Sequence, residues 1–119
     1  MSAITVANNP ERSRFEVLDA DADAGSVIGQ AAYVDDARSG QRIFYHTVIN
    51  EEYGGRGLAK VLAEQALDAT VAEGLVIVPV CPFIKKYLRK HTGYADHVAA
   101  VTSAHLDFVR DSLAQRVHQ

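Results

Sequence analysis

Apolar and polar positions alternate through the first third of the chain and change to a helical period near residue 58. Phe15 and Val17 alternate with Arg14 and Glu16, the pattern of a half-buried strand. Residues 26–35 alternate more weakly. Residues 42–49 (RIFYHTVI) are β-branched or aromatic almost throughout and make the clearest strand in the chain. An acidic, glycine-closed loop at 18–25 (LDADADAG) and a turn at 36–40 (DARSG) join these runs. Three strands on short connections predict an antiparallel meander. Residues 1–12 are polar and end at Asn9-Pro10, which predicts a flexible or edge segment.

From Leu58 the apolar residues Leu58, Val61, Leu62, Ala66 and Ala69 fall in one stripe at 3.6-residue spacing. Leu67 and Val71 lie outside it, so the helix is expected to touch neighbours on two sides. Gly74 stands where a helix stop belongs. Residues 75–80 (LVIVPV) are continuously apolar, as in a strand covered on both faces. Cys81-Pro82 then opens a second helix, with proline at its favoured first position, running to about His91. Leu106, Val109, Leu113 and Val117 share one face of a third helix over Ser103–Val117. The predicted order is β-β-β-α-β-α followed by a C-terminal helix, in a single domain over residues 1–119.

The anomaly is at the start of the first helix. The chain has eight glycines, and Gly54, Gly55 and Gly57 fall within four residues there. Glycine disfavours helix by about 1 kcal/mol against alanine, so the cluster implies a use for the backbone itself. One use is a plain surface turn. The other is anion binding, because the first amides of a helix lack intrahelical partners and the helix dipole favours negative charge. A P-loop is excluded, since no glycine, four residues and Gly-Lys-Ser/Thr string is present. A dinucleotide fingerprint is excluded too: the glycines follow a meander, and strand 75–80 ends without an acid.

The passage EEYGGRGLA resembles the acetyl-CoA loop of the GNAT superfamily of acyl-CoA N-acyltransferases. That signature reads Gln or Arg, two free positions, Gly, one free position, then Gly or Ala. Gly57 and Ala59 match its last two keyed positions, and Gly54 departs from the first. FYHTVI and VPVCPFIKKYLRKH, with Tyr94 following, are similar to the pattern of a compact subfamily, so the resemblance covers residues 14–94. It implies an α/β (α+β) GNAT-like fold, a mixed, mostly antiparallel sheet with helices packed on it, lacking the usual N-terminal helix pair. It also implies acetyl-CoA as donor and an amine as acceptor, with pantetheine lying between the strands before and after the first helix. The donor's contacts are then expected from Val48, Ile49, Gly54, Gly55, Arg56, Gly57, Leu58, Ala59, Cys81, Pro82, Lys85 and Tyr87.

Three residues are candidates for the chemistry. Lone cysteines are usually small buried hydrophobes, but Cys81 ends a strand at a helix N-terminus, where a thiolate is stabilised. The resemblance sets it beside the thioester, as nucleophile or as proton donor to CoA. His46 is the candidate base for the amine. Strict alternation places Phe44, His46 and Val48 on one face, so His46 is expected among apolar groups. Tyr87 shares a helical face with Phe83 and His91 and is read as a proton donor or a wall of the CoA site.

Composition narrows the alternatives. Apolar content of 48% and charged content of 23% are those of a globular domain. A net charge of −3 argues against a nucleic-acid partner. The single cysteine excludes an internal disulfide and a multi-cysteine zinc site, and no metal is expected. No apolar run reaches the ~18 residues of a membrane span, so the expected location is cytoplasmic. Two other readings remain: a module that binds CoA without turnover, and an interaction protein that uses its C-terminal helix. The acceptor and the oligomeric state are not indicated.

Overall fold

The computed structural model describes residues 4–20, 26–55 and 57–117. Residues 1–3, most of the acidic loop (21–25), Arg56 and residues 118–119 lie outside the described residues. Four strands run antiparallel in sequence order: β1 (Ile4–Asn9), β2 (Arg14–Asp19), β3 (Ser26–Asp36) and β4 (Gln41–Ile49). Helix α1 (Leu58–Ala72) crosses over to β5 (Val76–Pro79), which joins β4 in parallel. Helices α2 (Pro82–Lys90) and α3 (Ser103–Val117) complete the chain. The sheet is thus mixed and mostly antiparallel, as expected. The meander is one strand longer than the pattern implied, because residues 4–9, expected as a flexible or edge segment, form the edge strand β1. Among the described residues, no helix is long and apolar enough to cross a membrane.

Two apolar clusters lie on opposite faces of the sheet. The larger joins Phe15, Val17, Tyr33, Phe44 and Ile77 to the buried face of α1 and to Ile84 and Tyr87 of α2. The smaller joins Val34, Ile43 and Val78 to Val109, with Phe108 and Leu113 packed against it. The apolar face of α3 is therefore applied to the sheet, although Leu106 is half exposed, and the side chain of Val117 lies outside the described residues. Val109 is buried there, whereas most of the other described residues of α3 remain exposed. On α1 the buried residues are Leu62, Ala63, Ala66, Leu67 and Thr70. Val61, assigned to the buried stripe by its spacing, is exposed, because the sheet meets the helix about one position round from the stripe's centre.

Strand β2 also differs from its half-buried pattern. Glu16 is buried along with Phe15 and Val17, its carboxylate accepting from Arg14 Nε at 2.6 Å and Asn9 Nδ2 at 3.2 Å. Partners on neighbouring strands cover the polar face, so alternation in sequence does not become alternation in exposure.

Candidate active site

The site is built on a break in the sheet. Strands β4 and β5 pair from Gln41↔Val76 to Phe44↔Pro79 and no further. Strand β4 continues to Ile49, paired on its other side with β3, while the chain after Pro79 turns into α2. The last backbone link across the break is the Cys81 amide, which donates to the Phe44 carbonyl at 2.8 Å. Beyond it, the β5-facing edge of β4 has no strand paired to it and opens into a wedge.

A β-bulge decides which side chains face the wedge. Tyr33 of β3 lies opposite Phe44, but its neighbour Ala32 lies opposite His46, so Tyr45 is an extra residue on β4. Cross-strand partners share a face of the sheet, and one inserted residue exchanges the faces of everything beyond it. Phe44 is in the main core, whereas His46 forms a row with Ala32 and Arg14 on the opposite face and is exposed. The expectation that Phe44, His46 and Val48 share an apolar face is therefore corrected. Val48 is 42% exposed on the same outer face as His46, so its side chain is turned away from α1. Thr47 takes the inward position instead, opposite Ala31. Its Oγ1 accepts from the Cys81 thiol at 3.4 Å. Cys81 itself is only 3% exposed and belongs to the main core cluster.

The glycine-rich entry to α1 stands beside Ile49, at the end of β4. Gly55 and Gly57 have φ of 81° and 72°, left-handed values that cost side-chain-bearing residues energy. A Cβ at either position would meet no protein atom within 4 Å, so conformation and not crowding requires glycine, and the space beside them is open. Gly57 is the N-cap, and neither a side-chain cap nor an acidic residue occupies the first turn. The amides of Leu58, Ala59 and Lys60 are thus without intrahelical acceptors. They border a hollow of about 240 Å³ whose lining includes Ile49, Tyr53, Gly55, Gly57, Leu58, Ala59 and Phe83. Gly54 lines it as well, in extended conformation. Tyr53 pins the loop to the sheet by donating from its hydroxyl to Asp19 Oδ2 at 2.6 Å. Glu51 and Glu52 precede it on a short 3₁₀ turn and are exposed.

A second hollow of about 160 Å³ adjoins the first, between α1 and α2, and shares Lys60 and Phe83 with it. Tyr87 stands here, stacked on His91 with ring centroids 4.1 Å apart. Burial, and then the nearby Glu64 and Asp68 carboxylates, hold the Tyr87 pKa above the ordinary phenol value, so this hydroxyl keeps its proton at neutral pH. Pro82 is exposed at the first position of α2. Lys85, expected among the donor contacts, lies off this groove, which takes Lys86 and Lys90 instead. The face of α2 turned to α1 repeats as Phe83, Lys86, Tyr87, Lys90 and His91, and a residue two places from Tyr87 is not on it. Sequence reasoning misses Thr47, Tyr53, Lys60 and Lys90. The helical spacing of Lys86 and Lys90 with Tyr87 is a readable signal, whereas the position of Thr47 depends on the bulge.

Comparison with known proteins agrees with this geometry. A family model described as GCN5-related N-acetyl-transferase matches residues 14–97. Protein NATD1 of Gallus gallus is 40% identical over 63 residues, 50% of this chain and 57% of that protein. Protein NATD1 of Homo sapiens is 43% identical over 54 residues, 44% of this chain and 48% of that protein. The chain thus spans about half the length of the relatives it matches. The NMR solution structure of a GCN5-like putative N-acetyltransferase from Staphylococcus aureus superposes with a TM-score of 0.61 at 22% identity, covering 86% of this chain and 94% of that one. At that identity the likeness concerns the fold.

Proposed function

The chain belongs to the GCN5-related N-acetyltransferase family, and on that premise we propose that it moves an acetyl group from acetyl-CoA to a primary amine. The observation that carries the reading is the wedge between β4 and β5, which opens beside an uncapped helix start and its hollow. A molecule with an anionic head and a long amide-bearing arm fits that pair of features. Acetyl-CoA supplies an acetyl group activated as a thioester. The amides of Leu58, Ala59 and Lys60, aided by the α1 dipole, hold the pyrophosphate. The free stretch of β4 around Thr47 and Ile49 offers backbone groups to the pantetheine arm.

The bulge then divides the chemistry between two sides of the wedge. His46 stands on the open outer face, where the acceptor arrives, and takes the proton that the amine must lose. A shallow hollow on that face, lined by Arg14, Gln30, Val48 and Asn50, gives the acceptor a resting place. Cys81 stands on the inner side, its thiol aligned by Thr47, and protonates the sulfur that leaves. A group so deeply buried reaches only what enters the wedge, which suits delivery of a proton over a short distance.

Acetyl-CoA is expected to raise the melting temperature by mass action, ATP and NAD to do so far less, and a panel of primary amines is expected to reveal acceptor-dependent CoA release. His46→Ala should lower kcat about a hundredfold with little change in acetyl-CoA affinity. Cys81→Ser should retain binding and lose most transfer. Protection without release from any amine would leave a CoA-binding module, and no protection would remove the donor site altogether.

A further inference from the structure

The outer face of the sheet carries two neighbouring rows of residues in register across β2, β3 and β4. One is Arg14, Ala32 and His46; the other is Glu16, Gln30 and Val48. Ala32 is small, so the first row is low at its centre. Arg14 is held more firmly than a surface arginine usually is. Its Nε donates to the buried Glu16 carboxylate at 2.6 Å, and its Nη1 to the Gln30 side-chain oxygen at 2.6 Å. Those two bonds leave Nη2 without a partner among the described residues, on a side chain that stays 23% exposed. The guanidinium borders the hollow of about 250 Å³ on this face, together with Gln30, Asn50, Val27 and Val48. Among the described residues lining that hollow, Arg14 alone carries a charge. Glu16 turns its carboxylate to Arg14 and Asn9 and does not line it. Val27 and Val48 are 40% and 42% exposed, an apolar wall that the core does not use, and the Asn50 side chain makes no capping bond to the turn that follows it.

Resting on the acyl-transfer reading above, we propose that the acceptor is an amino carboxylate, an amine joined through an apolar spacer to one carboxylate that Arg14 receives. The amine lies at His46, the spacer runs along Val48, and the carboxylate meets the free Nη2 edge beside the Asn50 amide. The spacing suits this. His46 is paired with Ala32, two residues from Gln30, so His46 and Gln30 are diagonal neighbours about 8 Å apart, and Gln30 holds the guanidinium. A guanidinium already fixed by two bonds loses little freedom when it takes a third partner. A polyamine would instead set its second ammonium against Arg14, and a plain alkylamine leaves the arginine unmet. A phosphate dianion would find one cation where it needs two. The bond changes are those of ordinary transfer: nitrogen takes the acetyl carbon, the carbon–sulfur bond breaks, and the proton lost at nitrogen is made up at sulfur. The carboxylate is a handle and takes no part in them.

The test is CoA release by the intact chain from acetyl-CoA, with four acceptors matched in length: ε-aminocaproate, its amide, hexylamine and hexamethylenediamine. The carboxylate is expected to exceed its amide about tenfold in kcat/KM, the equivalent of one charge-assisted hydrogen bond, with the difference in KM. In the double variant Arg14→Gln, Glu16→Gln, which removes the handle without leaving a buried carboxylate unpaired, the ratio of carboxylate to amide should fall to about one. Equal kcat/KM for the two in the unaltered chain, or a preference for the diamine, overturns the proposal and leaves acyl transfer standing. A carboxylate preference that survives in the double variant overturns it as well, because Arg14 is then not the group that reads the acceptor. Should the double variant not fold, the comparison of acceptors in the unaltered chain decides the matter. Absence of transfer to every amine removes the acyl-transfer reading and the acceptor class together.

Discussion

The two ends of α1 are built on opposite principles. At its C-terminal end, Arg42 of β4 is only 3% exposed yet fully engaged. Its Nε and Nη2 donate to Asp35 at 2.8 and 3.0 Å, and its Nη1 and Nη2 to Glu73 at 2.8 and 3.3 Å. The guanidinium lies 4.2 Å from the Tyr33 ring centre, and Thr70 closes its own hydroxyl onto the Ala66 carbonyl. Burial alone would lower the Arg42 pKa, but the hydrogen bonds to Asp35 and Glu73 outweigh it and hold the group above its ordinary value. Glu73 caps the helix through backbone bonds, and Gly74 ends it. At the N-terminal end nothing comparable occurs among the described residues: no side chain caps the helix, no acid occupies its first turn, and the three groove lysines make no ion pair. One end of the helix satisfies its polar groups within the protein. The other presents them outward, as a binding site must, because a group already satisfied has little left to offer a ligand.

Three substitutions sharpen this contrast, in order of expected effect. Arg42→Ala leaves two carboxylates facing each other over an emptied site and should cost about 3 kcal/mol in urea denaturation. Acetyl-CoA affinity of the folded fraction should change less than twofold. A stability loss under about 1 kcal/mol would mean that the closed end is not a structural clamp. At the open end, Gly57→Glu sets a carboxylate beside the amides and should weaken acetyl-CoA binding by about thirtyfold. Gly57→Ala shares the backbone cost, about 1 kcal/mol of stability at positive φ, but should keep most of the affinity. Equal losses from Glu and Ala would point to strain and not to charge. The smallest expected effect is the coupling between the ends. They are separated by about 20 Å of helix, so the stability changes of Arg42→Ala and Gly57→Ala should add to within about 0.5 kcal/mol.

Much of the site is legible in the order of residues. The glycine cluster, the helix it opens, the proline-started α2 and the apolar strand between them all depend on local signals: backbone permissiveness, 3.6-residue spacing and a continuous apolar run. The placement of Gly57 and Ala59 at the glycine-rich entry to a helix needs no tertiary information. Arg42 shows the opposite case. Nothing local marks this arginine as buried, since burial of a cation depends on carboxylates from β3 and from the far end of α1 meeting it.

The sequence by itself determined the elements from β2 onward and their order, because periodicity and capping are properties of neighbours along the chain. Only the tertiary structure decided which residues meet. One extra residue at Tyr45 moved His46 to the outer face and turned Thr47 towards Cys81. Alternation could not reveal this, because a bulge is defined by the register of two strands and not by either strand alone. The packing of α2 against α1 likewise chose Lys86 and Lys90 over Lys85. The physical reason is the same in both places: a side chain's direction is set by the backbone it hangs from, but its company is set by whatever that face is packed against.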